Sequence, residues 1–254
     1  MAIFTDQCQR QIDLASKPLR IVSTVPSQTE LLSGLGLDAQ VIGITAYCVH
    51  PPHYLKDKTV IGGTKNLQIE KIRSLQPDLI IGNKEENIKE QIEELAQEFP
   101  VWLSDINSVE DSLAMIEAVG EICQAENKAR EIVDSIRAKR QLLAHLPKRK
   151  ALYFIWKDPY MVAGPNTFIS HMMGEAGYEN IAPRSEQRYP SLSLSEVKAL
   201  HADVILLSSE PYDFTSGDTL DFWGGSGEIR IVDGELFSWY GNRMIKAFDT
   251  FRKL

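Results

Sequence analysis

Two hydrophobic periods alternate along this chain. LRIVSTV (19–25) is short, branched and apolar throughout, as a strand buried on both faces would be. PSQTELLSGLGL follows at once. Ser27 stands three residues ahead of Glu30, the spacing of a capping box, which predicts a helix from near Thr29; Gly34 and Gly36 predict its end. AQVIGIT (39–45) predicts a second strand. A helix over Ile69–Leu75, a strand over DLIIGN (78–83), a helix over 85–98 and a strand over PVWLS (100–104) continue the series. Ser108 with Asp111 then opens a long helical pattern to about residue 146, with apolar positions at Leu113, Ile116, Val119, Ile122, Cys123, Ile132, Val133, Ile136 and Leu142. Gly120 and the polar QAEN (124–127) interrupt it, so two consecutive helices are predicted. The second, over about 126–143, spans roughly 27 Å at 1.5 Å per residue, and Pro147 stops it.

Beyond Pro147 the alternation resumes. ALYFIW (151–156) predicts a strand and MVAG (161–164) a short second piece. Asn166 or Thr167 caps a helix that Gly177 ends. A helix over 194–200, strands over DVILLSS (203–209) and EIRIVDG (228–234), and a terminal helix over SWYGNRMIKAFDTFRKL complete the chain. Strands alternating with helices predict an α/β fold with mostly parallel sheets covered on both faces.

The second half repeats the first. IRSLQPDLII (72–81) and VKALHADVIL (197–206) share an apolar residue, a base, a leucine, an aspartate and a branched strand, at an offset of 125 residues. VWLSDINS (101–108) likewise parallels IRIVDGELFS (229–238). A long period with two copies is no solenoid. It predicts two similar Rossmann-like α/β lobes, over 1–107 and 149–254, joined by a helical segment over 108–148.

Composition narrows the function classes. The 254 residues are 43% hydrophobic and carry a formal net charge of -8, which disfavours nucleic acid and anionic membrane surfaces as partners. The run Lys148, Arg149, Lys150 reads as a solvated linker beside a strand. Cys8, Cys48 and Cys123 form no CxxC pair, so neither a zinc ribbon nor a disulfide framework is indicated, and Cys123 reads as a small core residue. The first twenty residues lack an apolar signal-peptide core, and no later stretch is long enough to span a membrane; taken alone, the sequence implies a cytoplasmic protein.

Two α/β lobes are expected to hold a ligand in a cleft at the carboxyl ends of their strands. The loops there are PSQT (26–29), TAYCVHPPHY (45–54), GNKEEN (82–87), KDPY (157–160) and SSEPYDF (208–214), with RYPS (188–191) nearby. They carry Tyr47, His50, His53, Trp156, Tyr160, Tyr189, Tyr212 and Phe214, which suits a large, flat, partly apolar ligand. Some of these rings are expected to pack lobe cores instead. KEEN (84–87) reads as a solvated first helical turn. His145 and His201 read as structural. No GxSxG, HExxH or P-loop pattern appears.

RIVSTVPSQTELLSGLGL, VIGITAYCVHPP, VIGGTKNLQIEKIRSLQPDLIIGNKEEN and YPSLSLSEVKALHADVILL carry a resemblance over nearly the whole chain. They resemble the solute-binding proteins of ABC importers for cobalamin, ferric siderophores and haem, whose two lobes are joined by a backbone helix; the cobalamin-binding branch is most similar. TDQCQRQIDLASKPLRIV looks like that family's first strands. The resemblance implies a periplasmic or cell-surface monomer that takes a small metal chelate, a corrinoid or ferric chelate, with no built-in cofactor, and delivers it to a permease dimer. It puts Tyr47 at a cleft tyrosine, Tyr189 at a cleft tryptophan and Met161 near a cleft phenylalanine. Thr64 and Asn83 stand where the cobalamin binders have tryptophan, which favours a smaller corrinoid or a ferric chelate. Glu70 falls at the first-lobe docking glutamate. The repeat places the second at Ser195, one residue before Glu196.

Three readings of TAYCVHPPHY remain open. Cys48, His50 and His53 are enough ligands for a catalytic-type zinc; a histidine alone could coordinate the metal of a bound chelate; or all three are plain rim residues. The expected function is therefore binding without catalysis. The rivals are a cytoplasmic, metal-dependent chelatase-like enzyme and a cytoplasmic corrinoid-binding relative without a transporter.

Overall fold

The computed structural model describes residues 2–143, 147–222 and 227–253. The chain divides into two compact units. One takes the residues up to Ile106, Glu110–Ser135 and Tyr240–Arg243; the other takes Asn107–Val109, Ile136–Trp239 and the chain from Met244 onward.

The first unit opens with a hairpin of β1 (Ala2–Thr5) and β2 (Gln11–Leu14). Then come β3 (Ile21–Ser23), α1 (Pro26–Gly34), β4 (Val41–Ile44), the short α2 (Tyr54–Asp57) and β5 (Thr59–Val60). A small hairpin of β6 (Gly62–Gly63) and β7 (Asn66–Leu67) leads to α3 (Ile69–Leu75), β8 (Leu79–Asn83), α4 (Lys89–Ala96) and β9 (Val101–Ser104). The helices α5 (Val109–Ile122) and α6 (Glu126–Gln141) follow. The sheet has the order β5-β4-β3-β8-β9 and every pairing in it is parallel. Its central strands are buried along their whole length, and Val22, Ile72, Ile80, Ile92 and Val101 pack one face of it. Outer strand β9 does not end in open edge. The buried carboxylate of Asp6 accepts from the backbone N–H groups of Cys8, Arg10 and Leu103, and Arg10 bonds both Asp6 and the Val101 carbonyl. The turn of the first hairpin thereby covers β9.

Three local expectations are corrected here. Helix α1 starts at Pro26 with Val25 as its N-cap and no side-chain cap. Proline suits the first helical position; Ser27 is buried within the first turn, and Glu30 pairs with Arg243 at 2.9 Å. Residues 84–87 form turns, and α4 begins only at Lys89. Gly120 does not break α5: a Cβ there would stand 2.4 Å from the Cβ of Ala129, so the glycine lets α5 and α6 approach closely. The predicted pair of consecutive helices is present, with Gln124 at φ 51° in the turn between them.

In the second unit β10 (Arg149–Trp156) pairs antiparallel with β11 (Met161–Val162). Then come α7 (Phe168–Glu175), β12 (Tyr178–Asn180), α8 (Leu194–Ala199), β13 (Val204–Ser208), a 3-10 turn over Asp218–Phe222, β14 (Glu228–Val232), α9 (Glu235–Ser238) and α10 (Arg243–Phe251). The sheet runs β11-β10-β13-β14, with β12 also on β10, and all but β11 are parallel. Thr167 caps α7 by accepting from the Ser170 N–H. Arg149 and Lys150 belong to β10 rather than to a linker. The terminal helix is shorter than expected, because residues 239–242 separate α9 from α10. Among the described residues no helix is long and apolar enough to cross a membrane.

The repeat holds at atomic detail. Gln76 and His201, 125 residues apart, end α3 and close α8 in the left-handed conformation, at φ 44° and 49°. Two residues on, Asp78 accepts from the Leu19 and Arg20 N–H groups, and Asp203 accepts from the Lys150 N–H. Each aspartate's own N–H donates back to the opposite strand, to Arg20 and to Lys150. His201 is exposed and holds this left-handed backbone position; His145 lies outside the described residues.

Candidate functional site

In a parallel sheet the loops leaving the carboxyl ends of the strands gather along one edge. In the first unit the loop after β4 carries Tyr47, which is 62% exposed. Its ring lies over the β6–β7 hairpin: a Cβ at Gly63 would be 3.1 Å from Tyr47 Cε2. Cys48 turns the other way. It is fully buried, its Sγ lies 3.1 Å from Thr29 Oγ1 and 3.2 Å from Thr45 Oγ1, and burial pushes its thiol pKa up. His50 is half-buried, while His53 is exposed, its ring edge-on to Tyr54 at 5.1 Å. Tyr54 is buried and donates to Asp38 at 2.7 Å. Among the described residues no three His, Cys, Asp or Glu side chains gather as a metal site. The Cys48–His50–His53 triad is therefore not assembled: the cysteine is a core residue held by two threonines.

Thr64 sits in the turn of the small hairpin, half-buried, and its carbonyl accepts from Asn87 Nδ2 at 3.1 Å. Asn83 is buried. Its amide donates to Ser104 Oγ, and its Oδ1 accepts from the N–H groups of Glu85 and Glu86, which fixes the turn after β8. Asn83 is thus a loop-shaping residue and not part of an exposed rim. Asn87, which sequence reasoning passed over, ties this edge together. Its Oδ1 accepts from Thr24 Oγ1 at 2.8 Å and the Asn83 N–H at 2.9 Å. Gln28 joins the same web, donating to the Gly82 carbonyl and Ser104 Oγ. Tyr240, also unforeseen, is buried and donates to Glu86 at 3.2 Å; burial raises its pKa well above the usual value.

The second unit's edge is aromatic and acidic. Trp156 ends β10 41% exposed, with Tyr212 edge-on at 5.8 Å. Tyr160 is half-buried against Phe154 and Phe222, so it belongs largely to the core, as some rings were expected to. Met161 and Tyr189 are half-buried, Met161 bridged to Ser191 on the segment that carries Tyr189. Lys157 binds Asp218 at 2.7 Å and, with the Thr215 N–H, holds that carboxyl down to about 2. Glu210 had no sequence signal beyond its place after a strand. It accepts from Ser238 Oγ at 2.6 Å and Trp239 Nε1 at 3.0 Å. Burial raises its pKa, and the nearby charges of Glu235 and Asp233 act the same way.

The two glutamates considered for docking differ. Glu70, in the first turn of α3, has a side chain 85% exposed and pairs with Arg73, which also binds Glu94 and Glu98. Glu196 closes a capping box: it accepts from the Ser193 N–H and Oγ while Ser193 Oγ accepts from its own N–H. Ser195 Oγ lies 2.9 Å from Ser193 Oγ.

Residues 21–222 match the periplasmic binding protein family. A vitamin B12-binding protein of Pectobacterium carotovorum is 26% identical over 91% of this chain and 86% of its own length. An ABC transporter substrate-binding lipoprotein of Bacillus subtilis, YvrC, is 23% identical over 96% of this chain and 82% of its own. Among solved structures, the periplasmic vitamin B12-binding protein BtuF of Vibrio cholerae superposes with a TM-score of 0.75 at 22% identity, covering 93% of this chain and 96% of that one. A periplasmic haem-binding protein of Pseudomonas aeruginosa gives 0.78 at 19%, covering 92% and 91%.

Proposed function

Because the chain belongs to the periplasmic binding protein family, we propose that it captures a metal chelate, a corrinoid or a ferric chelate, as the substrate-binding component of an ABC importer. The observation that carries this reading is the pair of large aromatic side chains left exposed at the carboxyl edges, Tyr47 on the loop after β4 in one unit and Trp156 at the end of β10 in the other. Rings presented on loops that a rigid sheet positions suit a large, flat ligand. The relatives named for vitamin B12 and haem supply ligands of that shape. The protein binds and releases this ligand as a monomer and makes or breaks no covalent bond in it. Tyr47 is the contact residue of the first unit and Trp156, Met161 and Tyr189 those of the second; Thr64 shapes the turn beside Tyr47, and His50 or His53 stands at the rim within its loop. Glu70 is the first unit's contact with the permease, where a charge-assisted pair with an arginine would fix orientation. Glu196 is committed to its capping box, so the second unit docks through other groups.

Titration of the purified protein with cobalamin, cobinamide, haem and a ferric siderophore, followed by visible absorbance and tryptophan quenching, tests the reading. At least one is expected to bind at micromolar protein. Tyr47→Ala and Trp156→Ala should each weaken it by roughly three- to tenfold. Folded protein that changes no spectrum in this panel would end the proposal.

A further inference from the structure

Gly62 and Gly63 stand side by side in β6, and the backbone requires only one of them. Gly62 has φ 102°, and a Cβ on it would be 2.3 Å from the Asn66 carbonyl oxygen, so the small hairpin cannot close without that glycine. Gly63 has ordinary strand backbone, which any residue can adopt. What a side chain there would meet is Tyr47. The three heavy atoms nearest to a Cβ at residue 63 all belong to that ring: Cε2 at 3.1 Å, with Cδ2 and Cζ both at 3.9 Å. The two carbons bonded to Cε2 are equally distant and lie well behind it. The ring therefore meets Gly63 with its Cε2 edge, close to the ring plane, and not with a face. Tyr47 is 62% exposed, which leaves at least one face open to solvent.

A carbon at 3.1 Å is tighter than the ordinary contact of about 3.5–4.0 Å, so a side chain at residue 63 forces one partner to move. The hairpin is the stiffer of the two. The Ala46 N–H donates to the Gly62 carbonyl at 2.8 Å, the Ile61 N–H to Ile44 and the Gln68 N–H to Ile61. The Thr64 carbonyl accepts from Asn87, and Leu67 is buried. The ring, mostly in solvent, is what yields. Resting on the binding reading above, we infer that Gly63 is a positioning residue for ligand capture: by lacking a side chain it seats the Tyr47 ring on edge, so that a face of the ring is held out to a flat ligand. Anything larger at residue 63 lifts the ring off its seat and removes the stacking without itself touching the ligand.

Titration with haem and with cobinamide, both flat macrocycles, read by visible absorbance, tests this in the full chain. Gly63→Val should weaken binding by roughly three- to tenfold, as Tyr47→Ala does, and Gly63→Ala by about twofold. In protein that already carries Tyr47→Ala, either change at residue 63 should alter affinity by less than about twofold, because the ring it acts through is gone. Gly63→Ala adds only the methyl group and keeps the test open if valine disturbs folding. Full affinity in both residue-63 variants, or a loss equally large with and without the Tyr47 ring, would overturn the inference and leave capture of a chelate standing. If Tyr47→Ala binds like the parent, the ring is no contact and the inference falls, while Trp156 still carries the binding reading. If neither macrocycle binds, the flat ligand and the inference go together; only silence of the whole panel, the ferric siderophore included, ends the binding reading as well.

Discussion

Asp78 and Asp203 occupy the same point of the repeat and do the same thing; Asn83 and Ser208, at the other ends of the same two strands, do not. At the amino ends, each aspartate accepts from the backbone of the neighbouring strand and follows a residue in the left-handed conformation. At the carboxyl ends, Asn83 pairs with Ser104 in an uncharged web with Gln28, Thr24 and Asn87. Ser208 instead joins Tyr153 to a loop built around the half-buried carboxylate of Glu210. In register, Ser104 faces Asn83 where Val232 faces Ser208. The amino ends hold the fold and are alike; the carboxyl ends carry the loops proposed to meet a ligand, and there the two copies differ.

The largest test of that contrast is Asn87→Ala. Asn87 is buried and serves Thr24, Asn83 and Thr64 at once, so truncation leaves buried polar partners unsatisfied. The expected loss is about 3 kcal/mol, read by chemical denaturation, with the Tyr47 loop losing its support from the small hairpin. Ser208→Ala at the second edge removes one hydroxyl between Tyr153 and the Glu210 backbone and should cost about 1 kcal/mol. Equal losses would show that the two edges are built alike after all.

The amino ends should respond in parallel but on a smaller scale. Asp78 accepts from two backbone N–H groups and Asp203 from one, both near the surface. Asp78→Ala is expected to cost about 1–2 kcal/mol and Asp203→Ala about half of that. A negligible effect at both sites, measured by thermal unfolding, would remove the hydrogen bonds from the account of why this end is shared.

The shared end was also the legible end. A branched strand after a leucine and an aspartate repeats in the letters themselves, so the 125-residue offset and the two sheets could be read before any coordinates. Where the structure departs from the local pattern, distant residues decide. Ser27 and Glu30 have capping-box spacing, yet Glu30 is taken by Arg243, 213 positions away, and Pro26 starts the helix. Ser193 and Glu196 have the same spacing and do form a capping box. Cys48 and His53 lie five residues apart, but one faces the core and the other solvent, which spacing cannot show. Nor does any local pattern reveal that Tyr240–Arg243 belongs with the first unit or that Asn87 spans three loops.

The smallest effect is the most specific to the second edge. Burial, with Glu235 and Asp233 close by, raises the Glu210 pKa above its ordinary value of 4.5; Asp233 in turn pairs with Lys246 at 3.4 Å. The folded protein therefore holds the Glu210 proton to a higher pH than the unfolded chain does. The sign follows from linkage: stability from this group is greatest below the unfolded value and falls as pH rises through the folded one. Glutamine in its place keeps an oxygen for Ser238 and Trp239 but cannot ionise. Glu210→Gln should flatten that limb of the stability profile and raise stability at pH 7 by less than about 1 kcal/mol. The uncharged web of the first edge has no counterpart, so Asn83→Ala should shift the whole profile downward without changing its slope. Urea denaturation of both variants at pH 4.5 and pH 7 reads the difference. A Glu210→Gln profile as steep as that of the parent would mean that the second edge, like the first, is held by hydrogen bonds alone.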